Sequence, residues 1–265
     1  MPLINATFLP HSPLLIPEIG RANYGFLAKT VAAYEQVDAN LQTALPDTII
    51  LISAHGPAQA DSFTVNVAPE MAINLQEFGF IPPKTIFGGD ALLADQIKNA
   101  LRPDFPLQLI SENILDHGSA IPLYLLKSAA SDRKIIVVAP ASSLSLNDQF
   151  NFGAKLATVI KASDKKIAVI ASGDLSHRLK KKSPAGYSPK GAKFDNKLIE
   201  YLNEPATAAA NILKMDAKLI TDASECGLKA LVILLGVLSE ISWRAEVLAY
   251  QTDFGVGYLS FAFKI

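Results

Sequence analysis

The chain has 265 residues, half of them hydrophobic, which is enough to bury a sizeable core and excludes a disordered polymer. Lys and Arg number 24 against 25 Asp and Glu, so no surplus of charge draws it to nucleic acid or to an anionic membrane. A lone cysteine, Cys226, excludes an intrachain disulfide and fits a reducing compartment.

The opening Met1-Pro-Leu-Ile-Asn-Ala carries neither the basic segment nor the long apolar stretch of a signal peptide, so a cytoplasmic protein is expected. A strand is predicted over Ile4–Leu9, followed by a helix over Asn23–Ala44 and a second strand over Thr48–Ser53. Helices are predicted over Asp90–Leu101 and Ala120–Ala130, with Asp90 having the chemistry of an N-cap. The strand Lys134–Ala139 precedes a helix over Leu146–Ala162, for which Asn147 is the expected cap. After the strand Ile167–Ala171 comes the least regular stretch, Arg178–Gly191, with Lys180-Lys181-Lys182, two prolines and two glycines. It reads as a long surface loop. Helices follow over Lys193–Leu202 and Glu225–Glu240; the apolar run Ala230–Leu238 inside the latter is about half a membrane span and reads as buried. Two final strands, Ala245–Gln251 and Val256–Lys264, flank the turn signal Asp253-Phe-Gly. Gly88-Gly89 and Gly255-Val-Gly257 fit turns and tight strand packing, and Trp243 fits packing.

Continuous apolar runs alternating with helices describe strands covered on both faces. The expected fold is a three-layer α/β sandwich, its central sheet mostly parallel or mixed and covered by helices. Nothing in the composition marks a linker or a repeat, so residues 1–265 are read as a single domain.

All four histidines fall at strand ends or in turn-like settings. His11 and His55 follow predicted strands, His117 precedes a helix in Leu115-Asp-His-Gly118, and His177 ends Ser172-Gly-Asp-Leu-Ser-His. In an open α/β sheet ligands bind beyond the carboxyl ends of the strands, where such positions converge. Neutral imidazoles there suit Fe, Zn, Cu or Ni. Each histidine alone is also explained as a hydrogen-bonded structural residue. The chain has no His-x-x-x-His, no cysteine pair and no His-x-Glu element, so the common zinc signatures are missing.

Leu9-Pro-His-Ser-Pro-Leu-Leu-Ile-Pro17, Ser53-Ala-His-Gly-Pro57, Leu115-Asp-His-Gly118, Ser172-Gly-Asp-Leu-Ser-His177 and Ala223-Ser-Glu-Cys-Gly227 occur in that order, with Tyr250-Gln-Thr-Asp-Phe-Gly-Val-Gly-Tyr258 at the end. Over nearly its whole length the chain resembles the LigB-like superfamily of class III extradiol ring-cleavage dioxygenases, which also holds the Memo-like proteins. The resemblance implies a non-haem Fe(II) held by His11, His55 and Glu225, with open positions for O2 and a small aromatic diol or aminophenol. It implies His177 as the base and later acid, and His117 as a hydrogen-bond donor behind the ligands. Asp174 or Asp116 would orient a neighbouring histidine, or cap a strand end.

Glu225 has a second reading as a favourable charge at a helix start, and Cys226 beside it is the alternative ligand, or a small buried hydrophobe. A thiolate there favours Cu or Zn and a Memo-like protein with a redox or partner-binding role and no ring cleavage. A hydrolase using bound hydroxide is a third class. The Arg178–Lys182 cluster is either a solvated loop or a receptor for a substrate carboxylate or phosphate. As to partners, the resemblance allows a homodimer or a small accessory subunit.

Overall fold

The computed structural model describes residues 2–57, 59–127 and 133–265. In chain order it contains β1 (Leu3–Leu9), α1 (Pro17–Gly20), α2 (Ala28–Ala44), β2 (Thr48–Ser53), β3 (Phe63–Asn66), β4 (Glu70–Ala72), β5 (Ile86–Gly89), α3 (Ala91–Leu101) and β6 (Leu107–Ile110). Then follow α4 (His117–Leu125), β7 (Lys134–Ala139), α5 (Leu146–Lys161), β8 (Ile167–Ser172), α6 (Pro189–Leu202), α7 (Ala208–Leu213), α8 (Ala217–Ala223), α9 (Leu228–Val237), β9 (Arg244–Gln251) and β10 (Tyr258–Lys264).

The strands form one mixed sheet in the order β4-β5-β7-β2-β8-β1-β10-β9, with β3 joining β7 to β6. Its centre, β7-β2-β8-β1, is parallel throughout. Three of these strands, β2, β7 and β8, are built from near-unbroken Ile, Val, Leu and Ala because helices cover both faces. One face packs on α3, α5, α6 and α9 around Phe152, Leu156, Leu231 and Leu234. The other packs on α2 and α4 around Tyr34, Val37, Leu41 and Leu123. This is the expected sandwich.

Several boundaries differ from the sequence reading, each for a local reason. The first long helix begins as a 3-10 stretch over Arg21–Leu27 and becomes α-helical at Ala28. The cap of α5 is Ser145 rather than Asn147: its hydroxyl accepts from Asp148 N–H while the Asp148 carboxylate accepts from Ser145 N–H, a closed capping box. Asp90 caps α3 as expected, and Thr48 and Lys165 also donate to its carboxylate. α6 starts at Pro189, behind the Ser188 cap, and not at Lys193. The helix read over Ala120–Ala130 is α4, which starts earlier; residues 128–130 of that reading lie outside the described residues. Trp243 packs edge-on against Phe261 and Phe263. Among the described residues no helix is long and apolar enough to cross a membrane.

Register aligns the sheet's carboxyl edge. Leu9 and Ser53, the last residues of β1 and β2, both stand opposite Ser172, the last residue of β8. The residue two places beyond each strand is therefore His11, His55 or Asp174, and all three meet above the same edge.

Candidate metal centre

A ring nitrogen of His11, one of His55 and Cys226 Sγ lie within 4.8 Å of one another, the metal-ligand grouping found among the described residues. His11 Nε2 and Cys226 Sγ are 3.6 Å apart. Two ligands bound at about 2.0–2.1 Å (nitrogen) and 2.3 Å (sulfur) around a tetrahedral ion stand about 3.6 Å apart, so the spacing fits a shared cation.

The His11 ring is oriented by a relay whose proton directions are fixed. Ser172 donates its one hydroxyl proton to Gly118 O, 2.5 Å away. Its oxygen, 3.0 Å from His11 Nδ1, can then only accept, so Nδ1 carries the hydrogen and Nε2 presents its lone pair to the cluster. The backbone N–H of His11 donates to Asp174 Oδ1 at 3.1 Å, which ties the end of β1 to the loop after β8. Burial, with His55, His117 and His177 adding to it, holds His11 far below the ordinary imidazole range. His55, pushed down to about 4 by loss of solvent and by His117, is likewise neutral at pH 7. Neutral imidazoles are the ligating form.

His55 sits on the solvent side, its backbone N–H donating to Ser53 Oγ, which in turn donates to Asp116 Oδ1 at 2.6 Å. Asp116 also caps α4 by accepting from Ser119 N–H and Oγ–H. This brings His117, the first residue of α4, against His55 with 4.3 Å between ring centroids. Gly118 makes the approach possible, since a Cβ there would fall 2.6 Å from Ser53 Oγ. His117 stands outside the ligand group, 3.9 Å from Glu77 Oε1 and edge-on to Phe78.

His177 lies near enough to the cluster for its charge to be felt by His11 and His55. Its Nδ1 lies 2.8 Å from Ser224 O, and a carbonyl only accepts, so Nδ1 carries the hydrogen and Nε2 is a free proton acceptor. Desolvation lowers its pKa, which keeps that acceptor unprotonated at neutral pH.

The segment that supplies the sulfur is held from both sides. Ser224 closes α8 in the left-handed region, φ 52°. Cys226 N–H and Gly227 N–H both donate to Asp174 O, and Asp174 N–H donates to Cys226 Sγ at 3.3 Å. Gly173 and Gly227 touch backbone to backbone: a Cβ on Gly173 would lie 2.1 Å from Gly227 Cα. Glu225 is turned the other way. Its Oε2 accepts from Leu228 N–H at 2.6 Å in the first turn of α9, and it stands outside the ligand group. Withdrawal from water pushes its carboxyl up to about 7, against the pull of the Leu228 N–H and Lys229. Burial also pushes the Cys226 thiol well up, so this sulfur would have to give up a proton to bind a metal.

Asp174 is buried between His11 and Cys226, and desolvation brings its carboxyl to about 7. In the basic cluster, Arg178 donates to Asp222 O and Lys180 to Asp253 O, while Lys181 and Lys182 are solvent-exposed. Sequence reasoning does not single out Ser172 and Ser224, which set the tautomers of His11 and His177, or Ser53, which holds the His55 main chain; their only signal is membership of the motif runs that hold the histidines and Cys226.

Residues 5–261 match the LigB family, described as the catalytic LigB subunit of aromatic ring-opening dioxygenase. A protein of Clostridium acetobutylicum is 29% identical over 263 residues, which cover 94% of this chain and 55% of that relative. The chain thus spans about half the length of the curated relative it matches. A crystal structure of an uncharacterised protein from Escherichia coli K12 superposes with a TM-score of 0.70 at 20% identity, covering 98% of this chain and 99% of that one. That likeness concerns the fold alone.

Proposed function

The chain belongs to the LigB family, the catalytic subunit of aromatic ring-opening dioxygenase, and from that premise we propose that it is a metal-dependent oxidoreductase that opens the ring of a small aromatic diol or aminophenol with O2. The observation that carries this reading is the grouping of His11, His55 and Cys226, whose ligand atoms lie within 4.8 Å of one another. In the proposed site His11 Nε2, the His55 ring and Cys226 Sγ hold a single ion, Cys226 taking the place first expected of Glu225. Fe(II) is the ion that suits ring opening, and a thiolate ligand also admits Zn or Cu. Three protein ligands leave coordination positions open, as in catalytic and not structural sites.

When bound, such an ion supplies electrons to O2 and acidifies a diol hydroxyl. The chain's own residues do the remaining work. His177 Nε2 accepts the diol proton, the imidazolium charge being stabilised by the Nδ1–H bond to Ser224 O, and returns it when the ring has opened. His117 stands beside His55, where its ring would orient a bound diol by hydrogen bonding. Phe78, edge-on to His117, offers an apolar wall for an aromatic ring.

Cys226 favours a second reading. A Memo-like protein would use the same His11, His55 and Cys226 set for Cu or Zn, with a redox or partner-binding role and no ring cleavage. Anaerobic loading with Fe(II), Zn(II) or Cu(I), followed by air and a panel of catechols and aminophenols, separates the two. Ring opening predicts a yellow product from the Fe(II) form, lost in His177→Ala at unchanged metal content. No product from any diol, with Cu or Zn retained, would hand the site to the second reading; turnover without O2 would point to a hydrolase.

A further inference from the structure

We infer that Asp195, on α6, is a positioning residue for His177, acting through the main chain of Ser176. The inference rests on the role proposed for His177 as proton acceptor.

Asp195 is fully buried, and its carboxylate is shared between two donors. Oδ1 accepts from Ser176 N–H at 2.9 Å, and Oδ2 accepts from Tyr250 O–H at 2.7 Å. Ser176 in turn donates its hydroxyl to Ala223 O at 2.8 Å and accepts from Arg178 N–H. The main chain on either side of His177 is therefore fixed, and His177 N–H donates to the same Ala223 O. The His177 ring then reaches Ser224 O, the next carbonyl along. Main chain and ring of the proposed base are thus registered against residues 223–224, two places before the Cys226 sulfur. Asp195 is the anchor that holds the other side of this contact.

Two glycines clear the space that the anchor needs. A Cβ on Gly257 would lie 2.1 Å from Asp195 Oδ2, and one on Gly191 would lie 2.5 Å from Ser176 Oγ. Burying a carboxylate is costly, and a purely apolar contact between α6, β9 and this loop would serve packing alone at least as well. A carboxylate offers what an apolar group lacks: two acceptors fixed in direction, which hold an N–H within a narrow cone. The ring of His177 turns on a short lever from that N–H. A displacement of about 1 Å at a proton acceptor costs on the order of 100-fold in turnover.

The test uses Asp195→Ala, Asp195→Asn and Tyr250→Phe in the full chain. With only four histidines, nitrogen-15 NMR reads the His177 tautomer and pKa directly, in metal-loaded protein and without turnover. The expected result is that Asp195→Ala erodes the single Nδ1–H tautomer of His177, shifts its pKa and exposes the Ser176 amide to exchange, while one ion per chain is still bound. Asp195→Asn, which keeps the Oδ1 acceptor, restores the His177 signals. If the diol turnover proposed above is found, Asp195→Ala lowers kcat by on the order of 100-fold with little change in KM. Should Asp195→Ala fail to fold, Tyr250→Phe loosens the same carboxylate and shifts the His177 signals in the same direction by a smaller amount. Unchanged His177 tautomer and pKa in Asp195→Ala, or in Tyr250→Phe where the former is unfolded, would overturn the inference. An absence of diol turnover in the unaltered protein would instead overturn the functional reading, leaving the NMR result to stand or fall by itself.

Discussion

In the proposed site Cys226 would meet a metal with its proton still on the sulfur, because burial and the charges of Asp174 and Glu225 raise the thiol against the pull of the Asp174 and Cys226 N–H groups. Binding therefore releases that proton, and apparent affinity rises about tenfold per pH unit while the thiol is the protonated form in the free protein. Titration of the metal between pH 6 and 8 checks this; an affinity indifferent to pH would count against the sulfur. At the same scale, Cys226→Ser is expected to weaken binding by on the order of 100-fold or more, while Glu225→Gln, which keeps an acceptor for Leu228 N–H, leaves it within a few fold. The strand-end and turn-like settings of the four histidines pointed to a shared site, and the rings of His11, His55 and His117 lie within 5.5 Å of one another. Which of Glu225 and Cys226 turns toward His11 was not legible. Adjacent residues share a stretch of chain, and which side chain faces the edge depends on the left-handed turn at Ser224 and on the carbonyl of Asp174, neither of which any spacing encodes.

Elements were legible where hydrophobic patterning was long. β1, β2, β7 and β8 are dominated by apolar runs, and the amphipathic α3, α5 and α6 show their period. β4, with an exposed Glu70, β5, half of which is glycine, and β6, with exposed Gln108 and Leu109, are short and gain their strand character from pairing alone. α7 and α8 are too short to display a helical period. The same reasoning explains the close junction of β8 with α9. Gly173 lets the β8 edge meet Gly227, and this contact presses Cys226 toward His11. Gly173→Ala puts a methyl group on Gly227 Cα, so we expect a loss of about 2–3 kcal/mol in stability. Metal affinity should fall with it, since the sulfur is displaced. Equilibrium denaturation and metal titration of the same sample check both; a variant as stable and as tight-binding as the parent would show that the junction is slack.

Across the whole molecule, burial of ionisable groups makes stability depend on pH. Desolvation raises the Asp195 carboxyl from 3.8 to about 6, with Ser176 N–H and Tyr250 O–H opposing it; the neighbouring Glu225 carboxyl, pushed up to about 7, is protonated over the same window. The folded state thus keeps this proton after the unfolded chain has released it. Stability contributed by Asp195 is full below pH 4, declines as pH rises from about 4 to 6, and is constant above, a total on the order of 3 kcal/mol. The difference in stability between the parent and Asp195→Asn should follow that window, growing in favour of the variant between pH 4 and 6; a difference independent of pH would contradict it. The parallel centre β7-β2-β8-β1 ends in register, and that alignment brings His11, His55 and Asp174 to one level. The account stands on a metal held there by two imidazoles and a sulfur. X-ray absorption at the metal edge of loaded protein measures this most directly. One ion per chain with a single sulfur near about 2.3 Å and nitrogen neighbours near about 2.0–2.1 Å, the sulfur lost in Cys226→Ser, is the predicted result. A shell of nitrogen and oxygen alone, unchanged by Cys226→Ser and altered by Glu225→Gln, would contradict it.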